Sequence, residues 1–156
     1  MINMIWAMDE NQLIGIGDKI PWHIKEDLVY YRNKTRGQTV LMGEATYFSL
    51  KGYYKTKPLP YGKIYVASIN EDLVLDDATV INDLIPFIEG FDEDIWVVGG
   101  STIYKLCLPY ADRLYISYIK GTHEGDKYFP TIDFSKYNLI WEEESELVRY
   151  TLFERK

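Results

Sequence analysis

The stretch Ile95-Trp96-Val97-Val98-Gly99-Gly100-Ser101-Thr102-Ile103-Tyr104 decides the fold class. Its first four residues form an unbroken apolar run, of strand length, as expected for a strand covered on both faces. Two glycines interrupt it, and Ser101 to Leu108 continue as a helix. A buried strand turning directly into a helix is the building unit of a parallel α/β sheet. Val40-Leu41-Met42-Gly43, followed by a short helix from Glu44 to Leu50, is the same unit again.

Outward from these two units the same alternation continues. Ile2–Met8 reads as a buried strand, followed by a loop with Gly15, Gly17, Asp18 and Pro21 as breakers. Ile24 to Lys34 reads as a helix. A loop carrying Pro58 and Pro60 leads to a strand at Lys63–Ser68, and a small strand follows at Thr79–Ile81. Asp83 stands where it can cap a helix whose first turn holds Pro86, a position at which a missing N–H is harmless. Leu114–Ile119 is a further strand, and Leu139–Glu144 with Val148–Glu154 reads as an antiparallel pair. The prediction is one α/β domain over residues 1–156, a mainly parallel sheet with an antiparallel C-terminal edge.

Composition narrows the function. The chain has 156 residues, 47% hydrophobic and 26% charged, the balance of a globular domain. Its net charge of −7 disfavours nucleic acid and anionic membranes as partners. An anionic ligand would need the few basic groups focused at its site. The single cysteine, Cys107, excludes an intrachain disulfide and fits a reducing compartment. The apolar start meets Asp9 and Glu10 too soon to span a membrane and lacks the basic residues of a signal peptide, so a mature cytoplasmic protein is expected.

Asp27 is the most informative residue. On its helix it shares a face with Ile24, Leu28 and Tyr31, while Lys25, Glu26 and Arg32 fall largely toward solvent. A carboxylate on an apolar stripe is costly unless paired, and burial raises its pKa. Such a group can grip a cationic or amide-like heterocycle through two parallel hydrogen bonds. The plainer reading is an acidic residue in a helix's first turn, favoured there by the helix dipole.

The Gly99-Gly100 junction lets the backbone approach a ligand, and the following helix offers free N–H groups to a phosphate. Alone it is equally a tight connection, and it lacks the spaced-glycine dinucleotide fingerprint. A similar junction at Met42-Gly43-Glu44-Ala45-Thr46 gives the pair more weight, since open α/β sheets bind a pyrophosphate across strand ends. His23 and His123, the only histidines, support neither a metal site nor a histidine-based triad. His23 reads as a cap at the helix start. Cys107 shares a stripe with Ile103, Tyr104 and Leu108 and reads as core. Glu142-Glu143-Glu144 reads as the solvated end of a strand.

Taken in order, the pieces resemble the bacterial dihydrofolate reductases. Leu13-Ile14-Gly15, Ile20-Pro21-Trp22 and Asp27-Leu28 carry the resemblance at the start. Val40-Leu41-Met42-Gly43 with Thr46, Pro58-Leu59-Pro60, Val97-Val98-Gly99-Gly100 and Ile103-Tyr104 continue it. Leu114-Tyr115-Ile116-Ser117 and Glu124-Gly125-Asp126 to Phe129-Pro130 complete it, over nearly the whole chain with small gaps.

The resemblance implies an eight-stranded, mostly parallel sheet flanked by about four helices, with residues 9–23 as a mobile loop. It implies NADPH-dependent reduction of dihydrofolate to tetrahydrofolate, in support of one-carbon metabolism and thymidylate synthesis. Asp27, Trp22 and Ser117 would be the catalytic set: the carboxylate fork for the pterin, the residue positioning an ordered water, and a hydroxyl on the carboxylate. Ile5, Ala7, Leu28, Tyr31, Leu50 and Val98 would wall the substrate. Ala7, Ile14 and Gly15 would approach the nicotinamide. Thr46, Gly99, Gly100, Ser101 and Thr102 would hold the pyrophosphate, with Ala45, Ala67, Ser68, Ile103 and Tyr104 in the same cofactor groove. A cis peptide is implied between the two glycines. The implied partners are dihydrofolate and antifolates, with neither nucleic acid nor membrane, for a monomer that binds no metal.

Three positions depart from the family. Glu44 stands where an arginine or lysine usually faces the cofactor's 2′-phosphate, and Thr102 where a second arginine often helps; both admit some use of NADH. The arginine that usually clamps the substrate's glutamate tail has no counterpart, since Tyr61-Gly62-Lys63 occupies that stretch. Lys63 and Arg32 are the candidate replacements. The alternatives are a reductase of the same fold acting on a pterin or pyrimidine without that tail, a nucleotide-binding relative without catalysis, and a structural module.

Overall fold

The computed structural model describes residues 1–17 and 19–156; Asp18, expected among the loop breakers, lies outside the described residues. β1 (Ile2–Met8) is the spine of the sheet, and every residue of it except Ala7 is buried. That two-sided burial explains its unbroken apolar sequence. It pairs in parallel with β6 (Ile95–Val97) on one side and β7 (Arg113–Ile119) on the other. Beyond β6 come β3 (Val40–Gly43), β4 (Ile64–Ala67) and β5 (Thr79–Ile81), all parallel. Beyond β7 the direction reverses: β10 (Val148–Arg155) and β9 (Tyr137–Glu144) pair antiparallel. The order β5-β4-β3-β6-β1-β7-β10-β9 is the expected eight-stranded sheet with an antiparallel C-terminal edge.

Four helices cover it: α1 (Lys25–Thr35), α2 (Glu44–Tyr54), α3 (Leu84–Gly90) and α4 (Ser101–Cys107). Side-chain alternation along the strands divides the core between the two faces. Met4, Trp6, Leu41, Val97 and Leu114 face α3 and α4, where they meet Ile88, Ile103 and Cys107. Ile5, Val40, Met42, Val66 and Val98 face α1 and α2, where they meet Tyr31 and Leu50. Each fully buried aliphatic side chain stabilises the fold by about 1.5–3 kcal/mol. Burial pushes the Cys107 thiol up to about 12, as suits a core residue rather than a nucleophile.

Sequence and structure differ locally. α2 runs one turn past the expected Leu50, to Tyr54. The expected caps are absent: α1 begins after Ile24 with no side-chain cap, leaving His23 exposed, and Asp83 precedes α3 with only its backbone carbonyl bonded, to the Phe87 N–H. β2 (Leu13–Gly15) and β8 (Lys127–Tyr128) form a second, two-stranded sheet that sequence reading missed. Strands of three and two residues are too short to show a period. Because β1, β3, β4 and β6 run parallel, Ala7, Gly43, Ala67 and Val98 all reach the same edge of the sheet. Open α/β sheets bind their ligands at that edge.

Candidate active site

Asp27 lies in the first turn of α1, half-buried against the end of the sheet. Removal from water pushes its carboxyl up from 3.8 to about 6. The Ser117 hydroxyl bonds to it and pulls the other way, and the neighbouring Glu26 charge raises it further. Register explains the Ser117 contact: on β7 it sits between Ala7 of β1 and Tyr150 of β10. Glu26 itself is held by hydroxyl donation from Tyr150 at 3.2 Å and from Ser145. One acid is thus engaged at the surface, and the other is left facing the cleft.

The walls come from both layers. Ile5 and Val98 are buried at the sheet end, with Leu50 packed against the same cluster. Tyr31 is fixed by a 2.8 Å bond between its hydroxyl and that of Tyr61. Leu28 shares the Asp27 face as expected, yet is 42% exposed, because this part of the stripe lines an open cleft rather than the core. Trp22 is buried beside Ile119, Val148 and Tyr150, with Ala7 packed nearby. Its ring meets His123 edge-on at 5.2 Å.

Residues 9–17 are tied to the chain that follows β7. Buried Asp9 accepts backbone N–H bonds from Asn11, Leu13 and His123. Asp126 accepts from the Gly17 N–H at 2.9 Å and donates its own N–H to the Gly15 carbonyl. A side chain on Gly125 would collide with that carbonyl, so the close approach requires glycine. Sequence reading gave Asp9 no role, since a lone acid at a strand end carries no spacing signal.

At the C-terminal edge of the sheet the two glycine junctions meet. The Gly43 N–H donates to the Gly99 carbonyl at 2.8 Å, and the Gly99–Gly100 peptide is cis. Gly99 has φ +122°, in the region that favours glycine. A Cβ on Gly100 would stand 3.3 Å from the Thr46 hydroxyl, so that hydroxyl borders the glycine turn. Neither α2 nor α4 has a side-chain cap, which leaves first-turn N–H groups near Ala45, Thr46, Ser101 and Thr102 without that partner. Ile103 and Tyr104 pack beneath this turn, and the Tyr104 hydroxyl donates to the Ile5 carbonyl at 2.8 Å. Ile14 and Gly15 lie on β2, with Ile14 packed against the same core cluster as Ile103 and Tyr104. At the outer end, Ser68, just past Ala67 of β4, donates to the Glu44 carboxylate at 3.1 Å.

The basic groups are not where the chain order suggested. Lys63 lies over the Tyr65 ring at 5.2 Å, beside Glu93, on the α3 side of the sheet. Alternation explains it: Ile64 and Val66 face α1 and α2, so Lys63 and Tyr65 face away. Arg32 instead lines an open basin of about 540 Å³ with Arg36, Lys55 and Lys57. Sequence reading missed the last three, although Lys55 and Lys57 follow α2 without an acidic neighbour.

A double-glycine turn between two uncapped helix starts at the sheet edge, with one half-buried acid at the end of the same sheet, is an arrangement found in α/β enzymes that bind a dinucleotide. The sequence narrows the class. Residues 1–152 match the family model described as dihydrofolate reductase. Dihydrofolate reductase of Bacillus subtilis is 37% identical over 147 residues, covering 92% of this chain and 84% of that one. The Mycoplasma pneumoniae enzyme of the same name is 35% identical over 150 residues, covering 91% and 90%. The solved structure of Enterococcus faecalis dihydrofolate reductase, complexed with NADP(H) and RAB-propyl, superposes with a TM-score of 0.85 at 28% identity, covering 100% of this chain and 96% of that one. The chain belongs to the dihydrofolate reductase family and is an oxidoreductase.

The raised Asp27 pKa sets a pH dependence of stability. Below about pH 3.8 the carboxyl is protonated in both states and contributes nothing. Between 3.8 and about 6 the unfolded chain has lost a proton that the fold retains, so native stability falls as pH rises. Above about 6 the penalty is complete. Asp27→Asn removes it, and the variant should gain about 1–2 kcal/mol on the parent between pH 3 and pH 8, allowing for partial solvent screening. Urea titrations at both pH values check this; a difference that does not change with pH would contradict it.

Proposed function

We propose that the chain catalyses NADPH-dependent reduction of 7,8-dihydrofolate to 5,6,7,8-tetrahydrofolate. The observation that carries this reading is Asp27, a carboxyl raised to about 6 by burial and held against Ser117 of β7, in the sheet whose C-terminal edge also carries the double-glycine turn. The uncapped starts of α2 and α4, with the Thr46 hydroxyl beside Gly100, fit a bound pyrophosphate. When bound, NADPH supplies the hydride that reduces C6 of the pterin.

The remaining steps fall to the chain. Asp27 receives the amino and ring N–H groups of the pterin, which restore hydrogen bonds that burial took from it. Its negative charge, poorly screened in the cleft, stabilises the pterin cation formed when N5 gains a proton. Water carries that proton, and Trp22 bounds the space in which it sits. Ser117 keeps the carboxylate oriented and limits the rise of its pKa. Ile5, Leu28, Leu50 and Val98 exclude other water from the ring, and Arg32 meets a tail carboxylate. Antifolates would compete for the same Asp27 fork. No described helix is long and apolar enough to cross a membrane, and our reading is of a cytoplasmic monomer serving one-carbon metabolism.

The test is loss of NADPH absorbance with dihydrofolate. Asp27→Asn should lower turnover about 10²–10⁴-fold at neutral pH, with a smaller deficit near pH 5, where the substrate is protonated more readily. A variant as fast as the parent would remove Asp27 from the chemistry.

The Glu44–Ser68 bond favours a second reading, about cofactor preference. A carboxylate at a strand end accepts from a ribose 2′-hydroxyl but repels a 2′-phosphate. Replacing an arginine fork by glutamate forfeits about 1.5–3 kcal/mol of charge-assisted bonding. NADPH preference is therefore weaker here than a basic residue would give, and NADH is also accepted. Glu44→Arg should tighten NADPH binding, measured by quenching of protein fluorescence, and leave NADH nearly unchanged. Equal effects on both would place Glu44 away from the phosphate.

A further inference from the structure

The helix that carries Asp27 is only lightly anchored by apolar packing. Of the 11 residues of α1 only Thr35, near its far end, is buried, while Leu28 and Val29 are 42% and 43% exposed. The helix also begins without a side-chain cap. Its first turn, where Asp27 stands, therefore takes little hold from burial or from capping.

The hold comes from the neighbouring hairpin. Glu26 accepts a bond from the Ser145 hydroxyl, in the turn between β9 and β10, and one from the Tyr150 hydroxyl of β10 at 3.2 Å. Hydroxyl bonds to a carboxylate are stronger than those between neutral groups. The turn is itself fixed. The Ser145 N–H donates to the Val148 carbonyl at 2.8 Å, and the Lys120 ammonium donates to the Ser145 carbonyl at 2.9 Å. Tyr150 is fixed too, with its ring 4.4 Å from that of Tyr30 and packed in the cluster that holds Trp22.

Register closes the circuit. On the sheet Tyr150 pairs with Ser117, whose hydroxyl bonds to Asp27. Two adjacent residues of α1 are thus gripped by two paired residues of β10 and β7. One such bond would leave the turn free to pivot, whereas two from paired strand positions fix its rotation. Between α1 and the hairpin lies an open recess of about 260 Å³ lined by Tyr30, Glu143 and Glu144 together with Glu26, Ser145 and Tyr150. No aliphatic side chain lines it, so none substitutes there for the bonds to Glu26.

We propose that Tyr150, acting through Glu26, is a positioning residue for Asp27: it holds the first turn of α1 so that the Asp27 carboxylate stays on Ser117. Its effect on turnover rests on the dihydrofolate reading above. The ionisable groups around the pair are Tyr30 on α1, Tyr115 on β7, Glu143 and Glu144 on β9, and Lys120 just beyond β7. All of them remain in the variants that test the proposal.

The experiment is a double-mutant cycle read with NADPH and dihydrofolate. Tyr150→Phe keeps the ring and its stack on Tyr30 and removes only the donor. It should lower kcat/KM about two- to tenfold at pH 7, the range expected for one lost hydrogen bond. The deficit should shrink near pH 5, where the substrate needs less help from Asp27, and vanish in an Asp27→Asn background. Glu26→Ala, which loses both hydroxyl partners, should be at least as slow as Tyr150→Phe. Glu26→Gln, which still accepts from both hydroxyls, should recover most of that loss. A Tyr150→Phe enzyme as fast as the parent, or a deficit undiminished in the Asp27→Asn background, would overturn the proposal. So would a Glu26→Gln enzyme as slow as Glu26→Ala. An Asp27→Asn enzyme as fast as the parent would instead overturn the reading on which the proposal rests.

Discussion

One desolvated carboxylate governs this protein. Asp27 sits where α1 meets the ends of β1 and β7, with water largely removed and only the Ser117 hydroxyl in compensation. Everything near it serves to keep it there. Glu26, the adjacent acid, is bonded to Tyr150 and Ser145 and so turned from the cleft. Trp22, shortly after the residues tied down through Asp9 and Asp126, closes the neighbouring space. The fold gives up stability at neutral pH to hold this charge out of water, a common exchange at functional sites.

Parallel pairing supplies the second half of the site. Strands running the same way deliver their C-terminal turns to one edge, so two junctions about sixty residues apart in the chain become neighbours. Gly43 and Gly99 are joined there by a backbone bond, and the helix starts beyond them are left uncapped. The pairing of these two turns is thus a consequence of topology. Neither junction alone distinguishes a binding turn from a simple connection.

Most of this architecture was legible in the chain. Two-sided burial writes itself as unbroken apolar runs, which is why β1, β3 and β6 were readable, and the antiparallel tail followed from its spacing. What was not legible depends on where a side chain ends rather than where its residue stands. Lys63 was a reasonable counter-charge by position along the chain, but strand alternation turns it onto the opposite face, against Tyr65. Arg36, Lys55 and Lys57 carried no motif, and only the junction of α1 with the Pro60 loop reveals them as a group. Leu28 was correctly placed on the Asp27 face, yet its exposure shows that an apolar stripe can line a cleft as well as a core.

The two ends of α1 are electrically opposed, with the half-buried Asp27 in its first turn and Arg32 and Arg36 at its far end. On the proposed reading the decisive quantity is the ionisation of Asp27 itself. Difference infrared spectroscopy of the ligand-free protein, parent minus Asp27→Asn, isolates this one carboxyl across a pH titration. A midpoint near 6 is expected. A midpoint near the ordinary 3.8 would mean that the carboxyl is fully solvated, and would contradict the central role given to its burial.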